Sequence, residues 1–177
     1  MQLAQTLAAA GTDHGKFLRQ IGVCVDITAP LFWWKEFDTY KIGTVANSTS
    51  TMHTIANAPI TMNNFSFECM FGGKEVQDVM CDMITMVTIC ETYRKKYLEN
   101  KDTNPELAKQ YWRVLIELLP NGWLQTRTVT LNYAVLRNIY FARKHHKLTE
   151  WHKLCAWIES LPYAKQLITY EVKKNEG

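Results

Sequence analysis

The chain has 177 residues, is 47% hydrophobic and 21% charged, and carries a net charge of +3 at neutral pH. A chain of that size suits one domain and buries roughly 70% of its unfolded surface, so a disordered or fibrous protein is excluded. The small excess of positive charge tolerates a phosphorylated small molecule but does not demand nucleic acid.

Five cysteines, at positions 24, 69, 81, 90 and 155, are odd in number and form no C-x-x-C pair. That usage fits reduced thiols in a cytoplasmic protein rather than a disulfide framework or a structural zinc. No stretch reaches the length of a membrane span. The start lacks a basic region followed by a long apolar run, so no signal peptide is expected. Repeats and low-complexity blocks are absent.

Residues 1–10 are apolar and Ala-rich and predict a helix closed by Gly11. Thr12 or Asp13 then caps a second helix through about Gln20. The alternating run Ile21–Thr28 predicts a strand. Ala29-Pro30 opens a helix, with proline in the first turn where its missing N–H costs nothing. That helix carries Phe32, Trp33, Trp34, Phe37 and Tyr40, which serve either to bury it on nearly every side or to stack on a ring ligand. Ile42–His53 is small, polar and without a period, and reads as a loop. Ala58–Glu68 is a loop leading to a short strand at 64–68, and Phe71-Gly72-Gly73-Lys74 is a turn without the spacing of a phosphate loop.

From Lys74 to Leu98 the residues Val76, Val79, Met80, Met83, Val87, Cys90 and Tyr93 follow helical spacing. This Met-rich stripe suits a core or a subunit interface. Arg94-Lys95-Lys96 reads as a solvated helix end that complements the dipole. Asp102 or Thr103 caps the next helix, which has Pro105 in its first turn and ends near Leu119. Thr149 caps a further helix ending at Pro162. Within it, His152 and Cys155 have a spacing that zinc uses, but two ligands without two more are a poor case. From Tyr163 the tail becomes charged and is expected to fray.

The most informative stretch is Leu119–Arg143. A turn at Leu119-Pro120-Asn121-Gly122 leads into a β-branched run, Thr126, Thr128, Val129 and Thr130, and then into a helix entered at Asn132. At about 100° per residue, Asn132, Leu136, Ile139 and Arg143 share one face of that helix. An amide and a guanidinium on an otherwise apolar face are costly when buried without partners. They serve either as an N-terminal cap and a dipole partner at the last turn, or as groups aimed at a polar ligand. The guanidinium fork suits a carboxylate, a phosphate or the edge of a pyrimidine or flavin.

This stretch resembles the C-terminal signature of the flavin-dependent thymidylate synthases, the ThyX family, which runs LP…T-x-N…N…R without gaps. The matching residues are Leu119-Pro120, Thr130, Asn132, Asn138 and Arg143. The resemblance implies that Asn132 and Asn138 touch FAD and that Arg143 holds and polarises the pyrimidine. Asn138 lies about 120° round the helix from Asn132, so it would face another part of the ligand or another subunit. The family's arginine two residues after the first asparagine is here Ala134. Its phosphate-gripping arginine before the Leu-Pro is here Ile116, and Arg113 stands one turn earlier on roughly the same face.

The family's N-terminal motif, RHR-x-x-S-x-N-E-x-S-x-R, follows an aromatic helix. Aligned through that helix, Thr39-Tyr40-Lys41 falls on RHR and Thr44 on the first serine. A slip of one residue then brings Asn47, Ser48, Ser50 and Met52 onto the asparagine, glutamate, second serine and last arginine. Lys41, Thr44, Asn47 and Ser50 keep similar chemistry, whereas two arginines, the histidine and the glutamate are lost. By resemblance Lys41 and Thr44 contact the cofactor, and Asn47, Ser50, Arg113 and Arg143 the nucleotide. Ser50 has no evident base beside it and is not read as a nucleophile.

The resemblance implies a single α+β domain over 1–177, helix-rich with a small, mostly antiparallel sheet, assembled as a homotetramer. It implies reductive methylation of the pyrimidine deoxynucleotide dUMP to dTMP, with carbon from methylenetetrahydrofolate and hydride from NADPH relayed by FAD. Two alternatives stay open: an enzyme of this fold acting on another pyrimidine nucleotide, and a nucleotide-binding or interaction protein without catalysis on the same scaffold. No membrane partner is expected, and the scattered basic residues argue against nucleic acid. The short length and eroded motif point, by resemblance, to a phage protein acting in the host cytoplasm.

Overall fold

A computed structural model describes residues 1–11, 13–68 and 73–171. The strands are β1 (Gly22–Pro30), β2 (Val45–Ser48) and β3 (Leu124–Asn132), in the sheet order β1-β3-β2. The helices are α1 (Gln2–Ala9), α2 (Leu31–Phe37), α3 (Thr51–Thr54), α4 (Lys74–Asn100), α5 (Pro105–Leu118), α6 (Tyr133–Arg143), α7 (Thr149–Ser160) and α8 (Ala164–Leu167). The chain is therefore helix-rich α+β with a small antiparallel sheet, as expected.

The described residues form two compact units. Unit 1 comprises Met1–Ile27, Glu36–Asn47 and Arg127–Gly177. Unit 2 comprises Thr28–Lys35 and Ser48–Thr126.

In unit 1, α1 ends where predicted and Gly11 takes the left-handed φ of +107°. The segment after it is a 3-10 helix, Gly15–Gln20, entered through His14 rather than capped by Asp13, and Thr12 lies outside the described residues. Between β3 and α6 the chain turns without a loop, because the Tyr133 N–H donates to the Ile21 carbonyl and Asn132 caps the helix. Leu136 and Ile139 on α6 are buried, as are Trp151 and Ile158 on α7. The expected frayed tail instead packs: Ala164, Leu167 and Ile168 are buried, and Arg137 donates to the Ile168 carbonyl. Three apolar residues outweigh the charge of their neighbours. Residues 172–177 lie outside the described part. Helix α7 begins at Thr149, but no side chain caps it.

In unit 2, β1 runs through Pro30, and the helix starts one residue later than expected. Proline lacks an N–H and ends the ladder, and the next two donors, Leu31 and Phe32, are taken by the carbonyls of Trp123 and Asn121. Trp33 and Trp34 are buried edge to face, and the Trp34 indole donates to the Gln125 carbonyl. Phe37, beyond the unit boundary, is also buried, but the helix stops there and Tyr40 lies past its end.

The predicted loop at 42–53 contains β2 and α3. Every residue of β2 is exposed, so no alternation betrays it. The predicted strand at 64–68 is a 3-10 turn, Met62–Asn64, closed by a capping box with Thr61, followed by a single bridge between Phe65 and Trp123. Phe71 and Gly72 lie outside the described residues, and Gly73 precedes α4 with φ of +69°.

Helices α4 and α5 pack against each other over a core of Ile55, Ile60, Phe65, Val87, Cys90, Leu115 and Trp123. Asn104, not Asp102 or Thr103, caps α5 by accepting from the Leu107 N–H. Arg94 is not part of a solvated end: it is 7% exposed, ion-paired with Glu91, and donates to the Ala56 carbonyl. Four cysteines are free thiols, with Cys24 and Cys81 exposed and Cys90 and Cys155 buried; Cys69 is outside the described residues.

Candidate functional site

Six of the eight residues singled out by resemblance lie in unit 1: Lys41, Thr44 and Asn47 before and within β2, and Asn132, Asn138 and Arg143 from the end of β3 to the end of α6. Asn132 is the last residue of β3 and the N-cap of α6. Its Oδ1 accepts from the Val135 N–H at 3.1 Å. This satisfies a helix-end donor that has no partner within the helix. Its Nδ2 has no hydrogen-bond acceptor among the described residues.

Gly43 lies against this cap. A Cβ placed on it would stand 3.1 Å from Asn132 Nδ2 and 3.2 Å from Val135 Cγ2, and its φ is +78°. Both the room and the backbone therefore demand glycine. The close approach brings the next residue, Thr44, to the start of α6. The Thr44 Oγ1 is buried and has no partner among the described residues. A buried hydroxyl without a partner needs an explanation.

Replacing Asn132 by alanine is expected to remove about 1 kcal/mol of stability, lowering the melting temperature by roughly 2–4 °C. Asn132→Asp keeps the capping oxygen and loses the Nδ2 donor. A melt that drops for alanine but not for aspartate assigns the effect to the cap.

Arg143 ends α6 with its side chain 19% exposed. Its Nε donates to the Tyr40 hydroxyl at 2.9 Å and its Nη1 to Glu36 Oε2 at 3.0 Å. The guanidinium also lies 4.6 Å from the Trp151 ring centroid. Glu36 Oε2 further accepts from the Trp151 indole at 2.9 Å and stands 3.4 Å from His146 Nε2. His146 Nδ1 accepts from the Leu148 N–H, so the proton of the neutral ring sits on Nε2, facing Glu36. One carboxylate thus gathers three donors, and the arginine is held in a fixed orientation. Its Nη2 has no acceptor among the described residues.

Glu36, Tyr40 and Trp151 were not legible as site residues. The available signal was an acid inside the aromatic run Trp33–Phe37, where a carboxylate needs a partner.

The other predicted residues are not drawn into this arrangement. Asn138 is exposed on α6, and Lys41 and Asn47 are exposed. Ser50 and Arg113 belong to unit 2. Ser50 precedes α3, and its carbonyl, not its hydroxyl, takes the Thr54 hydroxyl. The Arg113 side chain is 70% exposed and paired with Glu117 one turn along α5. Among the described residues no three His, Cys, Asp or Glu side chains gather as metal ligands. His152 points at the His146 carbonyl, and burial, with Glu159 nearby, pushes the Cys155 thiol up to about 11.

No family model and no curated protein matches the chain. Among solved structures, it is similar to Helicobacter pylori thymidylate synthase X (ThyX) with FAD and dUMP, at 16% identity and a TM-score of 0.67. That match covers 94% of this chain and 80% of the other. A second solved structure, of flavin-dependent thymidylate synthase ThyX from Helicobacter pylori complexed with FAD and dUMP, matches at 14% identity and a TM-score of 0.57, covering 93% of each chain. At these identities the likeness is one of fold: the chain has a ThyX-like fold.

Proposed function

We propose that the chain is a flavin-dependent thymidylate synthase-like enzyme that methylates a pyrimidine deoxynucleotide, dUMP to dTMP. Methylenetetrahydrofolate would give the carbon, NADPH the hydride, and the working form would be a homotetramer. The observation that carries this reading is the juxtaposition in unit 1 of Gly43-Thr44 with the Asn132 cap, in a fold whose similar structures are described with FAD and dUMP.

The residues fit the polar edge of a flat heteroaromatic ring. Thr44 offers a buried hydroxyl without a partner, and Asn132 offers an uncommitted amide N–H2. Both are neutral, which suits ring nitrogens and carbonyls. A dinucleotide's pyrophosphate needs cationic donors, and Lys41 is the one this segment provides. Bound there, a flavin supplies the relay of hydride from NADPH. Asn132 and Thr44 would orient its ring, with Asn138 and Asn47 reaching other parts of the ligands.

Arg143 would present Nη2 to a pyrimidine carbonyl, steadied from behind by Tyr40 and Glu36. A preoriented donor at the oxygen where negative charge grows lowers the barrier without reorganisation. Glu36 offsets much of the positive charge, so Arg143 acts mainly as a directed hydrogen-bond donor.

The pairing of Arg143 with Glu36 also favours a second reading, a nucleotide-binding or interaction protein that has kept the scaffold and lost the redox step. An absorbance spectrum separates the two. Flavin bands that appear on adding FAD and bleach with NADPH are the expected result. A colourless protein that FAD does not stabilise against heating sinks the redox reading.

A further inference from the structure

Only one face of the 27-residue helix α4 is taken up by the core of unit 2. Val87, Cys90 and Arg94 are buried, and Met83, Met86 and Tyr93 pack against that core. The Met-rich stripe is therefore spent inside the unit. On the opposite face Cys81, Thr85, Thr88 and Thr92 are exposed. The same alternation of four and three residues continues to the exposed Asp78 and Lys74 on one side and to Lys95 and Glu99 on the other. A repeat of 3.5 residues keeps all of them on one seam, the pattern by which two helices pair along their length.

The middle of the seam carries no charge. The hydroxyls of Thr85, Thr88 and Thr92 donate to the carbonyls of Cys81, Ile84 and Thr88, so none is left to seek a polar ligand. Ile84 and Ile89 flank the seam and are 51% and 43% exposed. Such a face suits another helix better than a small polar molecule. The four charged residues at its ends form no ion pair among the described residues.

The order of those charges selects the partner. Take a second copy of α4 laid antiparallel, with the two-fold axis between positions 86 and 87. Thr85 then meets Thr88 of the copy, Cys81 meets Thr92, Asp78 meets Lys95 and Lys74 meets Glu99. Both charged layers are of opposite sign. A parallel pair would set every charge against itself, and a slip of one heptad would break both layers. We infer that α4 joins two copies of this chain through an isologous antiparallel helix pair, its direction and register fixed by Asp78 with Lys95 and Lys74 with Glu99 across the two-fold. The pairing rests on α4 alone and holds whether or not the chain binds a flavin.

Sedimentation of the full chain over a concentration series tests this, with Lys95→Glu alone and combined with Asp78→Lys. The unaltered chain is expected to self-associate. Lys95→Glu should raise the dissociation constant of one assembly step about tenfold or more, because the two-fold counts the lost attraction twice. The double variant restores opposite signs and should recover the association. Thr92→Cys gives a second readout. Oxidised with diamide, its new thiol should form a disulfide with Cys81, identified by peptide mass. That link is necessarily between copies, because positions 81 and 92 lie about 16 Å apart along one helix. An unaltered chain that stays monomeric, a Lys95→Glu chain that associates as before, a double variant that does not recover, or an oxidised Thr92→Cys chain without the Cys81 link overturns the inference.

Discussion

Glu91→Ala is expected to cost about 3–5 kcal/mol of stability, the range for breaking a buried ion pair on one side. The carboxylate is the centre of a strut inside unit 2. Its two oxygens take Arg94 Nε at 2.7 Å and Nη2 at 2.8 Å, a bidentate fork. The same carboxylate accepts from the Ile60 N–H at 2.8 Å, and Arg94 Nη1 donates to the Ala56 carbonyl at 3.0 Å. The pair therefore ties the 56–60 segment to α4 and leaves no charge unmatched. Without Glu91, a guanidinium stays buried with one partner and the Ile60 N–H loses its acceptor.

An apolar double replacement at 91 and 94 should recover little, because Ala56 and Ile60 would keep unsatisfied backbone groups. Chemical denaturation of the two variants measures this. A loss below about 1 kcal/mol for Glu91→Ala, the surface-pair range, would refute the strut.

The same pair sets an acid limit. The hydrogen bond from Arg94 holds the Glu91 carboxyl below the usual carboxylate range. A depressed folded value means that the stabilisation is complete above the ordinary glutamate range of about 4.3 and is lost as pH falls through the lower folded value. Glu91→Gln should remove that part of the acid dependence while keeping some of the contacts.

The strut also shows where sequence reading runs out. Arg94 stands beside Lys95 and Lys96, and three cations at a helix end read as solvated. Burial of the first follows from a loop nearly forty residues earlier in the chain, which no local pattern announces. Strand β2 hid for a related reason. All four of its residues are exposed, so pairing with β3 creates the strand and no hydrophobic period marks it. By contrast α4, α6 and β1 were legible because each buries one periodic face. The turn, strand and capped helix at 119–143 were legible because proline, β-branched residues and Asn132 each act locally.

The candidate site divides in the same way. Asn132 could be read as a cap from its place before an apolar helix. The role of Gly43 required the structure, since a glycine in a polar run looks like any turn. So did Glu36, whose three donors come from residues more than a hundred positions away.

That cluster gives the other large effect. Trp151→Ala is expected to destabilise the protein by about 3–5 kcal/mol, the cost of emptying a large core site. Trp151 is fully buried. Its ring is stacked with Phe37 at 6.4 Å, meets Tyr40 edge to face at 6.0 Å, and carries the Arg143 guanidinium at 4.6 Å. Trp151→Phe keeps much of the ring volume and deletes the indole donor to Glu36. Glu36 Oε2 still holds Arg143 and faces His146, so no carboxylate is stranded and the stability loss should be the smaller one. The phenylalanine variant therefore isolates the aim of Arg143 from the packing around it. If Arg143 presents Nη2 to a pyrimidine, Trp151→Phe loosens that aim, and dUMP binding should weaken several-fold while the fold survives. Unchanged dUMP affinity in a stable Trp151→Phe protein would make Arg143 a brace for α6 and α7, and the nucleotide would have to be held elsewhere.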